Sequence, residues 1–239
     1  ITVWIIAKRV PFEHFTIFSE WPKLQWLSWK EILVIGVPIG ISLFAETSIF
    51  SAVTMMMSNF STEIIAAHQI AINFTSLLYM VPLSISMGVT ILVGFEIGAG
   101  RLRDAKIYSY LCVCTAILFS FFSACVLYLL REQIATMYSS DELVLKNAQV
   151  FLVYAAIFQL SDSIQAPVQG ALRGYKDVTI TFIMAIISYW IIGLPTGYVL
   201  ANYTDFGPVG YWLGLVAGLS AGAITLLIRL LLVQRKFAL

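Results

Sequence analysis

The chain has 239 residues, 60% of them apolar and 11% charged, with a net charge of +1. Soluble domains average roughly half apolar and about a quarter charged, so this composition excludes an ordinary water-soluble domain and makes lipid the solvent for most of the chain. Near-neutral charge, with no basic stripe interleaved with aromatics, argues against nucleic acid as a partner.

The first element is ITVWIIA, an apolar run that stops at Lys8 and Arg9. It is too short to cross a hydrocarbon core about 30 Å thick or to serve as a signal peptide, and it reads as the end of a preceding transmembrane helix in a longer chain. From Pro11 to Lys30 the aromatics Phe12, Phe15, Phe18, Trp21, Trp26 and Trp29 alternate with Glu13, His14, Glu20 and Lys23. That mixture suits a linker lying in the headgroup layer on the cytoplasmic side. Residues 1–30 are therefore expected to be a helix end plus an interfacial linker, and 31–239 a separate membrane lobe.

Charges divide the remainder into six apolar blocks: 32–62, 64–95, 107–130, 147–172, 178–204 and 206–228. Each exceeds the roughly 20 residues that a spanning helix needs. In lipid the backbone must satisfy its own hydrogen bonds, and runs of this length without strict alternation fit helices rather than barrel strands. The fold class expected is all-α, a polytopic bundle of six transmembrane helices.

Basic residues set the orientation. If the segment before the first block is cytoplasmic, that side collects Lys8, Arg9, Lys23, Lys30, Arg101, Arg103, Lys106, Arg173, Lys176, Arg229, Arg235 and Lys236, leaving only Arg131 and Lys146 of the chain's 14 basic residues outside. The asymmetry predicts a multi-pass protein of the cell membrane with its C-terminus in the cytoplasm. Gly210, Gly214, Gly218 and Gly222 recur every fourth residue, a small-residue stripe that lets a neighbouring helix approach. GVPIG (36–40) and GLPTG (193–197) predict bends at Pro38 and Pro195. Cys112, Cys114 and Cys125 have no partner cluster at metal-ligand spacing and read as small buried apolar residues. His68, next to Gln69 at the start of its span, reads as hydrogen-bonded structure.

Two carboxylates stand out. Glu46 lies between Glu31 and Glu63, close to the bilayer midplane at 1.5 Å per residue, and Asp162 is equally deep between Lys146 and Arg173. An ionisable group there costs about 2.5 to 3.5 kcal/mol or more, so its default reading is functional. Gln159, Ala166, Gln169 and Arg173 follow helical spacing around Asp162. Gln69, Asn73, Ser76, Met80, Ser84 and Met87 share a face of the neighbouring span, and Ser42 lies one turn before Glu46. Polar faces in lipid point into a bundle interior, which predicts a common internal space lined by three helices. Carboxylates amid amides and hydroxyls suit a desolvated cation or protons, and not an anion. Phe50 and Phe158, each one turn from an acid, add ring faces that attract organic cations, although apolar packing also accounts for them. With Gln165, these residues make the candidate substrate cavity Phe50, Gln69, Asn73, Phe158, Gln159, Gln165 and Gln169.

The stretches PIGISLFAETSIF around Glu46, AAHQIAINF at 66–74, VGFEIGAGRLRDA at 93–105 and FQLSDSIQAPVQGALRGYKD at 158–177, in this order, resemble the MATE (multidrug and toxic compound extrusion) family, particularly its NorM-like branch. The resemblance covers essentially the whole chain, as the C-terminal half of a twelve-span transporter whose N-terminal lobe would line the other side of a cleft. It implies a transporter rather than an enzyme, with no cofactor, exporting small organic cations and drugs against inward sodium or proton flow. It also implies that Glu46 and Asp162 couple the cation, with sodium as the metal ion slightly preferred, and that Asp141 in SSDEL contacts substrate. Phe158 departs from the NorM-like pattern, which can place a tyrosine one turn before the coupling aspartate. Two other readings are an intramembrane aspartyl hydrolase, for which the GxGD motif is missing, and a lipid-linked-sugar flippase, which would need a cationic rather than an acidic cavity.

Overall fold

Runs of apolar residues long enough to satisfy every backbone hydrogen bond internally become helices. The structure, a computed structural model, describes residues 26–237; the expectations for residues 1–25 lie outside them. In chain order the elements are α1 (Trp26–Met57), α2 (Thr62–Gly98), α3 (Leu102–Leu129), the short α4 (Arg131–Thr136) and α5 (Glu142–Gly174). Then come α6 (Val178–Ile186), a π-helical stretch (Ile187–Gly193), α7 (Leu194–Tyr203) and α8 (Val209–Phe237). Among the described residues there are six segments long and apolar enough to cross a membrane, α6 to α7 counting as one, and no strand. The chain is thus an all-α, multi-pass membrane protein. It divides into two units, Ile1–Gly36 and Val37–Leu239, and the helix packing and the cavities belong to the second.

Several helices outrun the apolar blocks that predict them. α1 is already helical at Trp26, the first described residue, rather than from 32, and α3 starts at Leu102 rather than 107 and α5 at Glu142 rather than 147. Hydropathy marks the part in hydrocarbon, whereas a helix continues until its backbone is capped. Asp141 caps α5, its Oδ1 accepting from the amides of Leu143 at 2.9 Å and Val144 at 3.1 Å. α2 ends where Gly100 turns to φ +75°, a left-handed conformation open to glycine. Beyond that turn Arg101 pairs with Glu96 at 2.5 Å, and at the same end Arg229 grips Asp177 at 2.6 Å and 3.2 Å.

α5 is the central helix, packed against α2, α3 and α8. It is the least apolar of the six spans yet the most buried, because its polar groups face protein rather than lipid. Gly170 and Gly174 bring its backbone onto α2, where a Cβ would collide with Ser86 and Val93. There the Ser86 hydroxyl donates to the Ala166 carbonyl at 2.6 Å, and Thr90 to the Gly170 carbonyl at 2.9 Å. The glycine stripe of α8 performs the packing expected of it: Gly210 abuts Ala201, Gly214 abuts Gly197, and Gly218 abuts Gly193.

The bend expected at GLPTG takes the form of the π-helical stretch. Pro195 lacks an amide proton and crowds the carbonyl four residues earlier, and a wider turn relieves both conflicts. Pro38, by contrast, lies inside a continuous α1. The reading of the cysteines needs correction: Cys112 is half-buried, while Cys114 and Cys125 are exposed on the outer face of the bundle. In a lipid-facing helix an apolar residue is at ease on the outside, so burial does not follow from apolarity.

Candidate functional site

Glu46 and Asp162, brought to notice by depth alone, line one cavity of about 70 Å³. Four helices line it: α1 through Glu46 and Phe50; α2 through Ile72, Thr75, Ser76 and Tyr79; α5 through Phe158 and Asp162; and α8 through Trp212. The Tyr79 hydroxyl donates to Glu46 Oε1 at 3.3 Å. Arg173 lies about three turns beyond Asp162 on α5.

Aromatic rings form the rest of the wall. Phe158 meets Phe50 edge-on at 5.7 Å and Trp212 at 6.2 Å. Trp212 in turn packs against His68 at 5.7 Å and stacks on Phe151 at 6.2 Å. His68 is fully buried, its Nε2 3.2 Å from the Thr54 hydroxyl, in keeping with a structural role. Apolar walls of this kind lower the local dielectric around the two carboxylates, which strengthens their interaction with nearby charge.

Size restricts what the cavity can hold. A water occupies about 30 Å³ of liquid, and drug-sized ligands need pockets of roughly 300 Å³ or more. A cavity of about 70 Å³ suits protons or one small cation with a water or two. Its oxygen atoms, from two carboxylates, two hydroxyls and a phenol, are the donor set of a hard cation. Among the described residues there is no group of three or more His, Cys, Asp or Glu side chains arranged for a metal ion, so the ion would rely on the hydroxyls as well.

The other expected cavity residues separate from this site. Gln69 and Asn73 line a second cavity, about 400 Å³ and open, with Ala66, Ile70, Tyr138, Ser139 and Val144. Within it the Tyr138 hydroxyl donates to Asn73 Oδ1 at 3.0 Å. Asp141 sits at its edge, its backbone amide donating to the Ser139 hydroxyl at 3.1 Å while one carboxylate oxygen is engaged in capping. Gln159, Gln165 and Gln169 line neither cavity. Gln159 is fully buried, its backbone carbonyl accepting from the Ser120 hydroxyl of α3 at 2.8 Å; Gln165 donates to the Tyr189 hydroxyl; Gln169 accepts from Arg173 at 3.2 Å. The single internal space expected from three helices is corrected to two cavities. The reason is α5 itself, since a helix buried all round sends polar residues in several directions rather than along one stripe.

Sequence reasoning missed Thr75, Tyr79 and Trp212. Tyr79 carried a usable signal. Tyrosine in a membrane helix favours the headgroup level, and Tyr79 lies near the middle of its span.

Comparison with known proteins gives one consistent result. The MatE family model matches residues 38–199. A Bacillus subtilis protein described as "Probable multidrug resistance protein NorM" is 54% identical over 238 residues, 100% of this chain and 53% of that protein. An Oceanobacillus iheyensis protein of the same description is 51% identical over 238 residues, 99% of this chain and 53% of that protein. The crystal structure of the Vibrio cholerae MATE transporter VcmN in the bent form superposes with a TM-score of 0.86 at 17% identity, over 98% of this chain and 53% of that one. The chain spans about half the length of the curated relatives it matches.

Proposed function

The chain belongs to the MatE family, and from that premise we propose that it is the C-terminal six-helix lobe of a twelve-helix secondary antiporter that exports small organic cations and drugs in exchange for sodium or protons. The carrying observation is the convergence of Glu46 and Asp162, from separate membrane helices, on one small aromatic-walled cavity. Two carboxylates in such a place bind a cation from one side and release it to the other, and no bond is made or broken. The relatives' description as multidrug resistance proteins supports drugs as the exported cargo.

The stripe Gln69, Asn73, Ser76, Met80, Ser84 and Met87 is exposed along the whole of its face of α2. Polar groups at that depth do not face lipid, so the stripe is read as one wall of a cleft whose other wall is an N-terminal lobe. The 400 Å³ cavity at Gln69 and Asn73 is then the place for organic cargo, and Asp141 supplies negative charge at its edge. Twelve basic residues on one side against two on the other support a cell-membrane protein with a cytoplasmic C-terminus.

The test is dye efflux from proteoliposomes of the complete transporter under a sodium gradient at constant pH, and under a pH gradient without sodium. One gradient drives efflux in the unaltered protein, and Glu46→Gln or Asp162→Asn abolishes it while the protein stays folded. Unchanged efflux in both variants overturns the assignment. Sodium is the first choice because hydroxyls accompany the carboxylates, and efflux indifferent to sodium selects protons. The hydrolase reading gains nothing from the nearness of the two acids, because a 70 Å³ cavity does not admit a peptide. A flippase for pyrophosphate-linked sugars meets an acidic cavity where it needs a basic one.

A further inference from the structure

The end of the bundle at which α2, α5 and α8 finish carries a positive excess that its own ion pairs do not consume. Eight basic residues between Arg101 and Lys236 lie there, against the acids Glu96, Asp104 and Asp177. The opposite end has only Arg131 and Lys146, against Glu63, Glu132, Asp141, Glu142 and Asp205. Arg101 pairs with Glu96 at 2.5 Å and lies 3.8 Å from Asp104, and Arg229 pairs with Asp177 at 2.6 Å. Two arginines thus take up all three acids. Arg103, Lys106, Lys176, Arg235 and Lys236 are exposed, and none has a carboxylate partner among the described residues.

These five cations come from three chain segments, and the helix ends that carry them share one core. Ala105 of α3, Tyr175 just after α5, and Leu230 and Val233 of α8 are buried in a single apolar cluster. Arg103 and Lys106 lie to either side of Ala105, Lys176 follows Tyr175, and Arg235 and Lys236 come just after Val233. The Arg229–Asp177 pair ties the turn bearing Lys176 to α8. Tyr110, whose ring is 5.9 Å from Lys106 Nζ, is the kind of residue that sits at the headgroup level. Lys176 is the most telling member. The turn after α5 closes with the Lys176 amide donating to the Arg173 carbonyl at 2.9 Å and the Asp177 amide to the Leu172 carbonyl at 3.0 Å, and Lys176 sits at φ +60°. Helices ordinarily give this left-handed position to glycine, because a Cβ is strained there. What a lysine adds is charge at the membrane surface, since Arg173 already complements the dipole in the last turn of α5.

We propose that this end of the lobe is a docking surface for the phosphate headgroups of anionic phospholipids, with Arg103, Lys106, Lys176, Arg235 and Lys236 as its contacts. Orientation in the membrane asks only for basic residues on one side. A surface joined across three helix ends, with its acids already paired, concentrates positive charge within a Debye length of the headgroups, where each cation attracts anionic lipid. The inference needs only that the helices cross a membrane, and it stands apart from the reading of Glu46 and Asp162.

The experiment titrates the complete transporter, purified in detergent, with phosphatidylglycerol, phosphatidylcholine or inorganic phosphate, and reads Tm. Phosphatidylglycerol raises Tm at a lower concentration than phosphatidylcholine, and high ionic strength narrows that preference. The quadruple variant Arg103→Gln, Lys176→Gly, Arg235→Gln and Lys236→Gln raises the half-saturating phosphatidylglycerol concentration about thirtyfold, and Lys176→Gly alone raises it about threefold. Without lipid, Lys176→Gly keeps or gains Tm, because glycine relieves the strain at φ +60°. Weaker lipid binding with no loss of stability is a pairing that a merely structural lysine would not give. Arg131→Gln with Lys146→Gln, at the opposite end, leaves the half-saturating concentration within about twofold. Wild-type lipid dependence in the quadruple variant, or an equal loss in the opposite-end pair, overturns the proposal. So does a rise in Tm with inorganic phosphate equal to that with phosphatidylglycerol, which would assign the surface to free anions. If the quadruple variant does not fold, Lys176→Gly decides by the same criterion.

Discussion

The two cavities differ in the ways that separate an ion from a drug. One is about 70 Å³, with aromatic rings and two carboxylates in its lining. The other is about 400 Å³, open, and lined by carboxamides, hydroxyls and aliphatic side chains with no formal charge. Both draw on α2 and α5, and on α2 their linings interleave, Asn73 belonging to the open cavity and Ile72 and Thr75 to the small one. A helix whose side chains turn about 100° per residue can serve two spaces a turn apart, so under the proposed function the coupling ion and the cargo would occupy different places on shared walls. Communication between them then requires movement of the helices they share rather than competition for one carboxylate.

The largest effect that separates them is loss of the acids. Asp162→Asn or Glu46→Gln lowers cation-driven efflux by about a hundredfold or more, the scale of removing a group from a buried charged cluster. Equilibrium binding of a fluorescent organic cation, read by polarisation, changes only about twofold, as for independent sites. Parallel loss of binding and efflux would merge the two cavities into one site. Next in size is Phe158→Tyr, which adds a hydroxyl to the wall of the small cavity. It lowers the half-maximal sodium concentration by about five- to tenfold through one more oxygen donor, and leaves dye binding unaltered.

How far this division was legible in the sequence depends on contrast. Glu46 and Asp162 stood out because a charge within a 20-residue apolar run is costly, and the six spans were plain for the complementary reason. The glycine stripe of α8 foretold its packing, since spacing by four is a property of one helix. Which helix faces which is not. Gln159, Gln165 and Gln169 look like company for Asp162 along the chain, yet none lines its cavity, and Gln165 and Gln169 bond instead to Tyr189 of the π-helical stretch and to Arg173. Tyr79 and Trp212, which touch the cavity, vanish among apolar neighbours because an aromatic in a membrane helix carries little hydropathy contrast. The π-helical stretch is also silent before Pro195, because proline announces that the ladder breaks without fixing how it is mended.

Smaller effects belong to the open cavity. Asn73→Ala removes an acceptor and a donor from its wall, and weakens binding of the dye about three- to tenfold with the cation dependence of efflux unchanged. Tyr138→Phe is the subtlest change. The hydroxyl lost is exposed and donates to Asn73 Oδ1 at 3.0 Å, so water replaces it at little cost, and the expected weakening is about twofold. Its value lies in the comparison with Asn73→Ala. If Tyr138 acts by orienting the Asn73 carboxamide, the double variant binds dye no more weakly than Asn73→Ala alone; if the phenol meets the cargo directly, the two losses multiply. A titration of all three proteins with one dye, at fixed sodium and pH, distinguishes the outcomes, and a multiplied loss would extend the cargo surface from α2 onto the segment between α4 and α5.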